Sequence, residues 1–301
     1  MFDVTDATVS AWEVGKAQPS YDILTKLADY FNVSTDYLLG FNQDDLDNIE
    51  RLKIALLYGA DIVYIGGKKY SLRANASNFT IDDIKKSCEF AHNLGKKVYV
   101  TVNILFHDED LEGIKSYLKE LEKAFVDAVI ICDTFLIPII KNETPKLKIV
   151  MSTQMSTSNV ESVKYLLDEG VYSVVLAREV TKKEIKEIYD ATHANLEVFL
   201  HGAMCTCYSG RCVLSNYVTN RDSNRGGCAQ VCRFCFDLDK KRKTQFSIAT
   251  KDLNLANHIK ELIEIGVKHL KVEGRMRGTY YIATVISCYR NLIDAYYNNN
   301  W

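Results

Sequence analysis

Six of the nine cysteines in this chain, Cys205, Cys207, Cys212, Cys228, Cys232 and Cys235, fall between residues 205 and 235. The other three, Cys88, Cys132 and Cys288, are scattered through helical or strand patterns, where a free thiol packs as a small hydrophobe. In a reducing compartment, thiols gathered this closely serve a metal or a redox reaction more often than disulfides. A zinc site calls for two tight cysteine pairs presenting four thiolates. Cys228/Cys232 or Cys232/Cys235 supplies one such pair, and Cys205/Cys207 is too tight for the usual partner. A four-thiolate iron–sulfur cluster draws on both halves of the segment instead. The small residues and turn formers around the cysteines let backbone amides approach cluster sulfurs.

A third reading starts from CAQVCRFCF, residues 228–236, in which three cysteines and an aromatic have the spacing found in radical enzymes that cleave S-adenosylmethionine. In those enzymes the loop follows the first barrel strand, whereas here six strand patterns precede it. That reading also leaves Cys205 and Cys212 without a role.

A second set of reactive side chains stands at the ends of apolar runs. They are Tyr64, Asn103, Gln154, Arg178, Glu179, His201, Lys251 and Asp252, then Glu273 and Arg275. Polar groups at the carboxyl ends of parallel strands line a pocket in barrel and doubly wound folds.

The elements that must position these residues alternate. Apolar, β-rich runs cover 61–67, 96–105, 127–133, 147–155, 172–179, 196–203, 246–252 and 269–276. Between them lie amphipathic stretches such as TIDDIKKSCEFAHNLG and TKKEIKEIYDA, opened by residues able to cap a helix. Several close near glycine, at Gly59, Gly95, Gly170 and Gly266. Strands this apolar, interleaved with helices, predict a parallel sheet covered on both faces. Eight runs make a (β/α)8 barrel of the TIM type the leading expectation, with a doubly wound sheet second.

The chain has 301 residues, 47% hydrophobic and 25% charged, with a formal net charge of −2. That balance excludes a global basic footprint for nucleic acid, and Lys240-Lys241-Arg242-Lys243 is the one compact basic run. The start, MFDVTDATVS, has neither the basic nor the apolar region of a secretory signal, and no apolar run reaches membrane-span length. The expectation is a cytoplasmic protein that does not enter a membrane.

EVFLHGAMCTCYSGRCVLSNY, followed by NRGGCAQVCR, resembles the signature of the collagenase-like peptidase family U32. The resemblance extends over residues 49–294 and includes GADIVYIGGKKYSLRANASNFT, VYVTVNIL, STQMSTSN, VVLARE and LKVEGRM in the family's order. It implies a 4Fe-4S cluster on Cys205, Cys212, Cys228 and Cys232, leaving Cys207 and Cys235 outside the ligand set. Members resemble oxygen-independent RNA hydroxylation factors, so the resemblance implies an RNA (tRNA or rRNA) hydroxylase with a prephenate-like co-substrate. Arg73, Arg178 and Arg275 are the expected partners of its carboxylates, with Asn75, Asn103, Gln154 and Glu179 completing the substrate site. His201 and Glu273 are the catalytic candidates. The alternative is a peptidase, for which His201 with Cys205 offers the nearest approach to a dyad, since H-E-x-x-H and G-x-S-x-G are both missing from the sequence.

The first 41 residues are a different piece. TVSAWEVGKAQPS and ILTKLADYFNVSTDYLLG resemble the recognition helix and last helices of a Cro-type helix-turn-helix. The two preceding helices of that fold have no match, so DNA binding is not expected of this piece alone, and a DNA-binding regulator is the third hypothesis. The barrel piece, from residue 44 to 301 with a Cys-rich insertion at 203–236, has FNQDDLDNIE where the family opens with a strand. A barrel without its first strand exposes two edges, which makes instability or oligomerisation the expected consequence.

Overall fold

A computed structural model describes residues 48–72, 78–237, 246–275 and 277–299, together with Ser20, Ile23, Thr25 and Lys26. The helix-turn-helix expected over 1–41 lies outside them, those four positions apart, and so does the basic run at 240–243. The chain divides into two compact units, Met1–Glu50 and Arg51–Trp301, and the second carries the sheet.

Strands β1 (Ile62–Gly66), β2 (Lys97–Val102), β3 (Ala128–Ile131), β4 (Lys148–Met151), β5 (Ser173–Val175) and β6 (Leu196–Gly202) pair in chain order, each parallel to the next. A two-residue strand, β7 (Leu253–Asn254), runs antiparallel to the end of β6. β8 (His269–Val272) lies parallel to β6 on its other side. The result is an α/β fold with a curled parallel sheet that does not close. Among the described residues β1 pairs only with β2, and β8 only with β6. The missing first strand expected from the sequence corresponds to this opening.

Burial follows the same geometry. Every residue of β3 and β5 is buried, whereas all four residues of β8 are only half-buried. The opening holds a cavity of about 350 Å³ lined by residues of β1, β8 and the last helix, among them Ile62, His269, Tyr289 and Arg290. Inside the curl, Tyr99, Ala128, Ile130, Val150, Val175 and Phe199 form the core cluster.

The helices between the strands are α1 (Asn48–Leu57), α2 (Ile81–Asn93), α3 (Ile114–Lys123), α4 (Leu136–Glu143), α5 (Val160–Asp168) and α6 (Lys182–Thr192). They are followed by α7 (Leu214–Thr219), α8 (Ile259–Ile265) and α9 (Thr279–Tyr297). The caps expected at Thr80 and Thr181 are present, whereas α3 starts from Gly113 without a side-chain cap and α5 is capped by Asn159. Thr80 and Thr181 each form a capping box, accepting the N–H of Asp83 and of Glu184 while that residue's carboxylate returns to the cap. The four glycines expected at helix ends all adopt positive φ. Among the described residues no helix is long and apolar enough to cross a membrane.

One expected strand is absent. Residues 246–252 alternate as a strand does, yet all are exposed, and their ladder contact is a single bridge from Phe246 to Phe236. Thr206 and Thr250 hydroxyls, donating to Ile248 O and Met204 O, tie the stretch to the start of the Cys-rich segment rather than to the sheet. Alternation states only that two faces differ, and here the segment beside it, not a neighbouring strand, supplies the partner. Cys288 also departs from expectation. It is exposed on α9, whereas Cys88 and Cys132 are buried in the core as anticipated.

Candidate active site at the carboxyl ends of the strands

The end of β6 sets the geometry. Gly202 has φ 109, and a Cβ there would lie 2.8 Å from Glu273 O, so only glycine lets β6 and the residue after β8 approach this closely. From Gly202 the chain enters the Cys-rich segment, which folds back over the ends of β2, β4 and β5. Asn224 O accepts the Leu105 N–H at 2.9 Å, and Arg225 pairs with Asp110 while donating to Leu105 O at 2.9 Å. Gln154 Nε2 donates to Gly210 O at 3.3 Å, and Gln154 O accepts from Arg211 Nε at 2.5 Å. Glu179 accepts the Ser209 N–H at 2.7 Å and the Ser209 hydroxyl at 2.8 Å. Thus Gln154 and Glu179, expected to bind substrate, hold the Cys-rich segment in place.

Arg178 points beneath that segment. Its Nη1 donates to Ala203 O at 3.3 Å, and its guanidinium lies 4.1 Å over the Phe199 ring. Its Nε is buried without a hydrogen-bond partner, and among the described residues no carboxylate pairs with it. This is the state of an arginine able to take an anion.

A second group gathers where β1, β2 and β8 end. The Tyr64 hydroxyl donates to Glu273 Oε2 at 2.9 Å, and the Glu273 N–H donates to His201 O at 2.9 Å. Arg275 donates to Leu72 O at 3.0 Å and to Asn78 Oδ1 at 3.1 Å, and a Cβ on Gly66 would meet its Nη2 at 2.1 Å. Asn103 is buried and accepts the Leu72 N–H at 3.3 Å. Arg73 and Asn75 lie outside the described residues. Lys251 is exposed, and Asp252 pairs with Arg277 at 2.5 Å.

His201 faces α9, which the sequence did not single out. Its Nδ1 is 2.9 Å from the Tyr289 hydroxyl, and its ring centroid is 5.9 Å from that of Tyr281. The Tyr289 hydroxyl also reaches Asn254 Oδ1 at 3.1 Å and Leu200 O at 3.5 Å, both of which only accept. In the arrangement where that hydroxyl donates to one of these oxygens, His201 donates from Nδ1 and keeps a lone pair on Nε2. Burial lowers the His201 pKa below its ordinary value, so the ring is neutral at pH 7. Tyr281 and Tyr289, two helical turns apart on α9, carried a readable signal in their spacing.

The thiols are unevenly placed. Cys205, Cys207 and Cys212 lie near enough to shift one another's thiol ionisation, and Cys232 bears on Cys205 in the same way. Burial pushes the Cys212 thiol up, but the N–H groups of Ser215 and Leu214, the Cys207 thiol and the Ser223 hydroxyl outweigh it, and the net shift is downward. Cys207 is pushed up to about 12, chiefly by burial and by donating to Cys212. Cys228 is exposed and accepts the Gln230 N–H at 3.4 Å. Among the described residues no three His, Cys, Asp or Glu side chains stand ready to hold a metal. In type, however, the donors fit an iron–sulfur cluster: thiols grouped in one segment, with N–H groups aimed at two of the sulfurs. Among the described residues no hydrogen bond joins His201 to a cysteine, so the dyad weighed for a peptidase is not formed.

A curled parallel sheet with a Cys-rich segment docked on its carboxyl ends defines an α/β protein whose polar strand-end side chains gather at that face. The sequence profile described as peptidase family U32 matches residues 47–301, and the chain belongs to that family. A helix-turn-helix profile matches residues 1–38. "tRNA hydroxylation protein P1" of Bacillus subtilis is 46% identical over 260 residues, spanning 83% of this chain and 62% of that protein. "23S rRNA 5-hydroxycytidine C2501 synthase" of Escherichia coli is 38% identical, spanning 80% and 37%. "Collagenase" of Porphyromonas gingivalis is 34% identical, spanning 84% and 65%. The chain thus covers less than two thirds of the length of each of these relatives. A solved structure, "The Structure of the U32 Peptidase Mk0906", aligns with 49% of this chain and 63% of its own at 13% identity and a TM-score of 0.42.

Proposed function

We propose that this chain is a cytoplasmic RNA-hydroxylating enzyme acting on tRNA or rRNA. In this reading it carries a 4Fe-4S cluster on Cys205, Cys212, Cys228 and Cys232 and uses a small dicarboxylate of the prephenate type as co-substrate. One observation carries the reading: the Cys-rich segment is fastened by Glu179 and Gln154 over the strand ends, beside an arginine whose buried Nε has no partner. The relatives named for tRNA and rRNA hydroxylation support it. When bound, the cluster supplies one-electron redox chemistry, which hydroxylation without molecular oxygen requires.

The protein's own residues divide the remaining work. Arg178, backed by Phe199, takes a carboxylate through its guanidinium. Arg73 and Arg275 are the proposed partners for the second carboxylate, with Asn75 and Asn103 as further proposed substrate contacts. His201, positioned by the Tyr289 hydroxyl, is the proposed proton acceptor, through Nε2 when Nδ1 donates to that hydroxyl. Glu273, fixed by Tyr64, is the second group able to exchange a proton at this end of the sheet.

The test is anaerobic purification with iron and sulfide analysis, alongside nucleoside mass spectrometry of RNA from cells with and without the gene. The expected result is about four iron and four sulfide per chain, lost in Cys228→Ala but retained in Cys235→Ala. A hydroxylated nucleoside that depends on Cys228 completes it. Zinc, or a metal-free protein that cleaves gelatin, would replace this reading with the peptidase.

A further inference from the structure

We infer that the outer surface of the Cys-rich segment is a binding face for single-stranded RNA, an inference that rests on the RNA-modifying reading above and names the form of its substrate. Within residues 203–236 the charged side chains are Arg211, Arg221, Arg225, Arg233 and a single acid, Asp222, although the whole chain carries a formal −2. Arg225 is used internally by Asp110, and Asp222 caps the Asn224 N–H at 2.9 Å. Arg221 and Arg233 are exposed, and among the described residues neither forms an ion pair. Their positive charge is directed at solvent.

Interleaved with them is apolar and aromatic surface that the fold does not cover. Tyr217 is 89% exposed, Val213 75%, Tyr208 53% and Phe234 44%. Tyr217 lies on α7, against which the turn Val231–Arg233 packs, so the ring, Arg233 and Phe234 come from adjoining elements. The backing is firm: the buried Ser215 hydroxyl of α7 accepts the Ala229 N–H at 2.9 Å. Exposed rings beside unpaired arginines suit unstacked bases and their phosphates. Bases stack on aromatic faces whatever their identity, and guanidinium groups take the backbone charge. A duplex, with its bases stacked inside, offers nothing to the rings. The positive charge favours this polyanion over a second copy of the same surface. The face also lies on the segment that caps the proposed active site, so a bound strand passes over it.

The test uses the full chain, purified anaerobically, and fluorescence anisotropy of a labelled RNA of about 12 nucleotides, single-stranded or annealed to its complement. The variants are Arg221→Gln with Arg233→Gln, and Tyr217→Ser. None of these residues is a proposed cluster ligand or strand-end site residue, and because Arg233 follows Cys232, circular dichroism and iron content verify the fold and the cluster. We expect the single strand to bind in preference to the duplex. The arginine pair should weaken binding roughly tenfold and lower the salt-dependence slope by about 1.4. Tyr217→Ser should weaken it about fivefold or more. Equal binding by the variants, preference for the duplex, or no RNA binding at all would overturn the inference. So would a change in sedimentation with Tyr217→Ser that leaves RNA affinity intact, because that marks a contact between copies. RNA hydroxylation unaffected by the variants would sink this inference and leave the proposed function standing. Variant-sensitive binding without any hydroxylated nucleoside would do the reverse.

Discussion

Ser209 illustrates how one contact shapes the site. It is buried, with φ 47 and ψ 26, a left-handed conformation that a residue with a side chain adopts at a cost of about 1 kcal/mol. Glu179 offsets this by accepting both Ser209 donors at 2.7 and 2.8 Å. The turn so held stands between Cys207 and Cys212, whose thiols shift one another's ionisation. Removing the carboxylate leaves a buried N–H without an acceptor. Glu179→Ala is therefore expected to lower stability by about 1 kcal/mol and to speed alkylation of Cys207 and Cys212 by iodoacetamide. Glu179→Gln, which keeps one acceptor, should fall between. Peptide mapping of labelled thiols reads the result, and unchanged labelling in Glu179→Ala would show that the turn holds without its clamp.

Helices with sharp starts deliver the strand ends in register. The N-cap of α6, Thr181, lies two residues after Glu179, and its capping box joins the Thr181 hydroxyl to the Glu184 N–H while Glu184 returns to Thr181 N–H at 2.7 Å. That local stop fixes where β5 ends and so where Arg178 and Glu179 emerge. Thr181→Ala should cost about 1 kcal/mol, seen as a lower urea midpoint with an unchanged slope. A fall in slope instead would mean that the unfolding unit had changed.

Across the whole sheet, the opening between β1 and β8 lies beside a buried charge system. Glu197 of β6 pairs with Lys271 of β8, and His269 lies 3.6 Å from the same carboxylate. Burial pushes the Glu197 carboxyl up, but Lys271 and His269 outweigh it and bring it down to about 2. A carboxyl whose folded pKa lies below its unfolded value of 4.5 contributes stability above that value and loses it as pH falls toward about 2. The contribution is on the order of 3 kcal/mol, of which roughly 2 kcal/mol should be lost in urea unfolding between about pH 7 and pH 3. Glu197→Gln should remove this acid dependence and cost about 3–5 kcal/mol by stranding Lys271. Adding Lys271→Met should recover much of the loss. A double variant no more stable than the single one would place the penalty in packing rather than charge.

Local signals carried far along this chain. The period of the apolar runs, Thr80 and Thr181 as caps and the glycines at helix ends were all legible, because each depends on residues within one or two turns of itself. The cysteine crowding and the motif order were legible for the same reason, and they led to the family. Tertiary structure decided what depends on distant partners. Gln154 and Glu179 read from the sequence as substrate residues, and only the fold showed their bonds to Gly210 and Ser209, since a polar side chain at a strand end looks the same whether it faces a ligand or a loop. Tyr289 acquired its hold on His201 only when α9 packed against the end of β6. Residues 246–252 kept the pattern of a strand but found no strand beside them. Short-range chemistry is written in neighbouring residues, whereas pairing across the sheet waits for the chain to close on itself.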